Sequence, residues 1–218
     1  MRQVLRELVM TGAVPRVTRW GPVALGWLLA GLVLAWRGDD VSDAGSAVLL
    51  LRLVAVLLAL GVVSLLDDAA ADVLAPAPLP LAWRRGARLA LAAIAVAVPW
   101  TVALLWIRPG QYGVGAAALT LECATITALG LAVSSGVARW SDAVDPGLAA
   151  GPALIGAVLL ALALPERWAL VASPGAGWRD AHLRWAVLLG AALAAAAWSI
   201  RDPAARTPAW FRPARGRR

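Results

Sequence analysis

Six apolar runs, each bounded by charge, proline or glycine, constrain this chain more than any other feature. They are about 16 to 25 residues long, where ~20 residues of helix cross ~30 Å of hydrocarbon. They cover about Trp20–Trp36, Ser46–Leu66, Arg88–Ile107, Val114–Val137, Gly147–Leu170 and His182–Ile200. Stretches such as Leu89–Val98 and Leu188–Ala197 show no period-two alternation, so they read as helices rather than barrel strands. The chain is 61% hydrophobic and 15% charged, against about 45–50% apolar and about 25% charged in a soluble domain. The expected fold is all-α, a polytopic membrane protein with six transmembrane helices forming one domain over residues 20–200. A cytoplasmic interfacial helix over residues 1–19 precedes it and a basic tail over 201–218 follows.

Tryptophans support these limits. Trp20, Trp36, Trp83, Trp106, Trp140, Trp168, Trp178, Trp185 and Trp198 fall at or near the ends of runs, where indoles settle among headgroups. Trp27 and Trp100 lie inside runs, and Pro99 interrupts the third. In the leader, Val4, Leu5, Leu8 and Val9 occupy one side of a helix and Arg2 and Arg6 another, the pattern of a segment lying along the membrane surface. The long polar leader, with no small-x-small site after Leu34-Ala-Trp36, argues against a cleaved signal peptide.

Arginine sets the orientation. With the N-terminus inside, the cytoplasmic side holds Arg2, Arg6, Arg16, Arg19, Arg84, Arg85, Arg88, Arg139, Arg201, Arg206, Arg212, Arg215, Arg217 and Arg218. The outer side holds Arg37, Arg108, Arg167, Arg179 and Arg184. That bias predicts a plasma-membrane protein with both termini cytoplasmic. Anionic lipid at the basic tail then accounts for the net charge of +7 without any nucleic acid.

Several chemistries are excluded by what the chain lacks. Every basic residue is arginine, so neither a phosphate-loop lysine nor a Schiff-base lysine exists. One cysteine, Cys123, and one histidine, His182, cannot form a Cys/His metal site. No catalytic motif is present, and no enzyme activity, cofactor or metal is expected.

Three places carry polar chemistry. The segment between the second and third runs, Asp67 to Arg88, has Asp67, Asp68 and Asp72 at its start, Leu74 after them, prolines at 76, 78 and 80, and Arg84, Arg85 and Arg88 at its end. A short capped helix stopped by the prolines would make a compact cytoplasmic docking element; a loop that merely obeys the charge rule is the alternative. The same DDxxxD spacing could hold magnesium and a diphosphate in a prenyltransferase-like enzyme.

Second, Arg52 and Glu122 lie inside runs, both ~9–10 Å below the outer surface at 1.5 Å per residue. Their opposite charge predicts an ion pair between the second and fourth helices, either a structural bridge or part of a polar path. The fourth run also carries Thr120, Thr125, Thr127, Ser134 and Ser135, so it should face the bundle. Third, Gly147 and Gly151 with Ala149, Ala153, Ala157 and Ala161 give the fifth run a small-residue row suited to close packing. His182 is expected at the membrane interface.

Four stretches stand out: Met1–Thr18; Leu65–Ala93, with Leu65-Leu-Asp-Asp68 and Arg84-Arg-Gly-Ala-Arg-Leu-Ala-Leu91; Leu119–Leu131, with Thr120-Leu-Glu122; and Arg167–Leu189, with Ala181-His-Leu-Arg-Trp185. Together they resemble compact permease subunits of type-2 ABC exporters, small alanine- and arginine-rich proteins of actinobacteria. That resemblance implies a coupling helix in Asp67–Pro80, docking on a separate ATP-binding protein, and a homodimer or heterodimer of permease subunits. The family often has re-entrant helices between its last two spans; here Pro165–Ala181 is the room for them. A non-transporting membrane scaffold or assembly factor is the alternative function.

Overall fold

The computed structural model describes residues 20–66, 81–140, 146–175 and 177–200. The expected interfacial helix, the basic tail, and Asp67, Asp68, Asp72 and Leu74 lie outside the described residues. Among the described residues six α-helices follow one another: α1 Trp20–Arg37, α2 Ala44–Val62, α3 Leu81–Ile107, α4 Ala116–Trp140, α5 Pro146–Ala163 and α6 Trp178–Ile200. Five helical segments are long and apolar enough to cross a membrane.

The exception corrects the expected fifth span. Its helix stops at Ala163 rather than near Leu170, leaving a shorter apolar segment, Gly147–Ala163. The cause is local. Pro165 is extended, with φ −63° and ψ 155°, and proline drives the residue before it out of the helical region. The remaining 18 residues span ~27 Å at 1.5 Å per residue, slightly less than the hydrocarbon thickness. Beyond them, residues 164–175 hold a 3-10 turn, Glu166–Trp168, and irregular chain, with no re-entrant helix among the described residues.

The second correction concerns the arginines after the proline-rich segment. Arg84, Arg85 and Arg88 stand on the first turns of α3, which begins at Leu81, and not in a loop. Arg88 is buried, only 6% exposed.

Helices α2 and α4 form the centre. Of the most apolar window of α2, 67% is buried, and of α4, 50%, against 22% for α1 and α6. α1 packs along α2, α6 along α4, α3 on α2, and α5 on α4 and on the 3-10 turn Val63–Leu66 that ends α2. The start of α1 meets the end of α2, so the two are antiparallel. Gly26 and Gly61 bring the backbones together: a Cβ on Gly26 would sit 2.8 Å from Leu57 O, and one on Gly61 3.1 Å from Pro22 O. Such an approach is the membrane use of glycine. Within one copy of the chain the small-residue row of α5 is covered only in part: Gly147 is buried, nothing lies near Gly151, and Ala149, Ala153 and Ala157 are exposed.

Two tryptophans inside runs have specific partners. Pro99 passes through α3 without breaking it, but having no N–H it leaves the carbonyl of Ala95, four residues back, without its helical donor. Trp27 Nε1 donates to that carbonyl at 2.9 Å. Trp100 Nε1 donates to Thr120 Oγ1 at 3.1 Å. In a bilayer interior such backbone groups must be satisfied from within the protein.

The polar face of α4 turns inward beyond its first turn: Glu122, Thr125, Thr127, Ser134 and Ser135 are buried, whereas Thr120, expected with them, is exposed. Ser134 Oγ donates to Val63 O at 3.1 Å, satisfying a carbonyl at the end of α2. Large apolar side chains instead cover the exterior, including Leu28, Trp36, Leu49, Leu105, Leu148 and Val187. An outside of leucine and valine with hydroxyls within is suited to solvation by acyl chains.

At the end of the bundle with short connections, Asp43 caps α2. Its carboxylate accepts from Gly45 N at 2.7 Å and Ser46 N at 3.0 Å, and Ser46 Oγ accepts from Asp43 N at 3.3 Å. These bonds, those with Ser46 foremost, hold the Asp43 carboxyl below its ordinary range. Tyr112 ties two connections at this end by donating to Val41 O at 2.8 Å.

Candidate functional site

The structure brings Arg52 of α2 and Glu122 of α4 together in a two-pronged ion pair. Arg52 Nε donates to Glu122 Oε2 at 2.6 Å and Nη2 to Oε1 at 2.7 Å. Both residues follow their helix starts by a few turns from the short-connection end, which is why their depths match. A planar guanidinium fork fits a carboxylate in this parallel arrangement, and charge makes both bonds strong. The Glu122 side chain is 2% exposed and that of Arg52 14%.

Helix α6 adds a third ionisable group. His182 Nε2 lies 3.1 Å from Glu122 Oε1, and its Nδ1 lies 2.7 Å from the carbonyl of Trp178. A carbonyl can only accept, so Nδ1 carries the hydrogen and Nε2 is the nitrogen turned to the carboxylate. A proton on Nε2 would place a second positive charge against Glu122. The Trp178 ring covers this corner: Arg52 Cζ is 5.7 Å from its centroid, and the rings of Trp178 and His182 are 4.3 Å apart. The guanidinium therefore has a carboxylate on one side and an aromatic face on another.

His182, expected at the membrane interface, stands against Glu122 with its side chain 12% exposed. The last apolar run starts at His182, but its helix starts one turn earlier at Trp178, which carries the histidine inside. Four residues apart on one helix, Trp178 and His182 share a face; this spacing was the available signal. Trp185, likewise expected at the interface, is buried and donates Nε1 to Leu170 O at 2.9 Å. Arg184 Nη1 donates to Ala169 O at 2.8 Å, so two bonds from α6 hold the chain that follows α5.

The pair forms part of the wall of a cavity of about 440 Å³ between α2, α4, α5 and α6. Drug-sized ligand sites run from ~300 to 1,000 Å³. Its other walls are apolar, among them Leu53, Val56, Ile126, Leu154, Ala161 and Leu188. The space follows from the position of α5, which packs on α4 and on the end of α2 while its second half, Ala157 to Leu162, stands across from α2 and α6.

The three threonines expected along a path do not line this cavity. Thr120 Oγ1 donates to Ala116 O at 2.8 Å and accepts from Trp100. Thr125 Oγ1 lies 2.7 Å from Leu121 O and 3.2 Å from Trp185 O, a donation shared between its own helix and α6. Thr127 is buried beside Cys123 on α4. Among the described residues no three His, Cys, Asp or Glu side chains gather as a metal site would require. Comparison of the chain with protein-family models, with curated proteins and with solved structures gives no match.

Proposed function

We propose that this chain is the membrane-spanning permease subunit of an ABC-type exporter, working with a separate ATP-binding protein and paired with a second permease subunit. The cavity beside Arg52 and Glu122 carries the proposal: it gives a multi-pass bundle a place for a passenger. The exporter class and the motor rest on the resemblance described above. In this reading the protein lies in the plasma membrane with both termini cytoplasmic and its basic tail against anionic lipid. The segment Asp67–Pro80, with Arg84, Arg85 and Arg88 behind it on α3, transmits the movement of the motor. A chain without lysine cannot build a phosphate loop, so ATP hydrolysis belongs to the partner. Rigid-body movement of helices is the expected response.

A non-transporting scaffold or assembly factor is the second reading. It is favoured by the two-pronged pair itself, since a buried salt bridge can serve only to fix helix register. A prenyltransferase-like enzyme using Asp67, Asp68 and Asp72 is the third. Affinity purification separates them. The permease brings down an ATPase in stoichiometric amount and loses it when residues 67–80 are deleted. A scaffold yields no ATPase. The enzyme loses turnover of a diphosphate lipid in Asp67→Asn and Asp68→Asn while its assembly persists.

A further inference from the structure

His182 is the only histidine of the chain, and its ring stands between two oxygens. Nδ1 donates to the Trp178 carbonyl at 2.7 Å, and Nε2 lies 3.1 Å from Glu122 Oε1. Nε2 is buried and makes no hydrogen bond among the described residues. A neutral ring has one hydrogen, on Nδ1, so its Nε2 turns a lone pair toward a carboxylate that is already negative. A buried polar atom left in that position needs an explanation. A proton on Nε2 supplies it: the lone pair is consumed, and the ring meets the carboxylate as a cation 3.1 Å away.

The groups around the ring are few. From α4 comes Glu122, and from α2 comes Arg52, bonded to both carboxylate oxygens. Helix α3, which also touches α6, carries no carboxylate, and its arginines stand on its first turns. On α6 itself Arg179 and Asp180 are exposed, and Arg184 donates to Ala169 O. Among the described residues Glu122 is therefore the carboxylate that faces the ring, and the Arg52 guanidinium is the cation that competes with a proton for it.

We propose that Arg52, Glu122 and His182 form a proton-binding site, in which a proton on His182 Nε2 fastens α6 to the ion pair of α2 and α4. The site goes beyond the proposed function and serves a permease or a scaffold alike. Helix α6 also supplies Trp185 and Leu188 to the cavity wall, so the proton bears on how firmly that wall is held. The sign follows from charge. A proton held against Glu122 in the folded chain stabilises the fold in acid, and this stabilisation is lost as the pH rises and the proton leaves.

The test is NMR of the full chain in detergent with isotope-labelled histidine, where one histidine gives one pair of ring-nitrogen signals. At about pH 5.5, where an ordinary histidine is charged, both nitrogens should show the shifts of a protonated ring. Glu122→Gln removes the attraction and leaves Arg52 in place, so it should weaken proton binding by about tenfold or more. Arg52→Gln removes the competing cation and should tighten proton binding instead. A ring that stays neutral in the acid sample, or two variants that move proton binding the same way, would overturn the proposal. Should the Glu122 and Arg52 variants fail to fold, thermal unfolding of wild type and His182→Gln gives the answer, because glutamine is neutral at every pH. Relative to His182→Gln, the wild type should melt about 2–4 °C higher at about pH 5.5 than at about pH 8.5, the shift one modest interaction brings in a chain of this size. Parallel pH profiles of the two proteins would equally overturn it.

Discussion

The indole N–H of Trp27 reaches the carbonyl oxygen of Ala95 at 2.9 Å. Ala95 is the residue whose carbonyl Pro99 leaves without a helical donor, so a side chain of α1 repairs a defect in α3. The two positions are one device: the proline is tolerated because the tryptophan is there, and an indole within a span has its polar atom satisfied.

A double-mutant cycle tests this device. Trp27→Phe should cost about 0.5–1.5 kcal/mol beyond the change in packing, the usual worth of one hydrogen bond. In a Pro99→Ala background, where the introduced alanine supplies the missing N–H, the same change should cost less. Thermal unfolding in detergent of the four proteins gives the coupling; equal costs in both backgrounds would show the two residues to be independent.

The contact of α1 with α2 makes a sharper steric prediction. Gly26→Ala forces a methyl group to within 2.8 Å of Leu57 O, a backbone atom that cannot rotate away, and the helices must separate at a cost of about 1–3 kcal/mol. Gly31→Ala meets nothing within 4 Å and should be neutral or slightly stabilising, because alanine is the better helix former. The pair of melting temperatures checks the assignment, and equal effects would contradict it.

Helix α5 decides the topology. If it crosses, reporter fusions after Gly45, Gly110 and Gly175 read outside, and fusions after Pro78, Asp142 and Arg218 read inside. If this shorter helix does not cross, fusions after Asp142 and Arg218 read on opposite sides of the membrane.

Much of the architecture was legible because it follows from solvation. Apolar runs must be helices, and polar residues on a run must face inward, so α2, α4 and the meeting of Arg52 with Glu122 could be read from spacing and depth. Helix ends were less legible. Pro165 stops α5 before Leu170, and Trp178 starts α6 before His182, because proline and indole act locally on the backbone while hydropathy averages over a turn or more. That one-turn error concealed His182 beside Glu122. The packing glycines of α1 and α2 were not legible for another reason: a spacing of four, as between Gly147 and Gly151, shows which residues of one helix share a face but not which neighbour covers it. Gly26 and Gly61 lie on different helices, and no pattern within either run joins them.

The central claim is that a charge pair between α2 and α4 organises this bundle around its cavity. Unfolding free energies of wild type, Glu122→Gln, Arg52→Gln and the double variant in one detergent test it most directly. Glu122→Gln strands a largely buried guanidinium and should cost up to about 3–5 kcal/mol, the usual effect of removing one partner of a buried pair. The double variant should recover a clear part of that loss, giving a coupling well above the ~0.5 kcal/mol of independent sites. Losses that simply add would contradict the account.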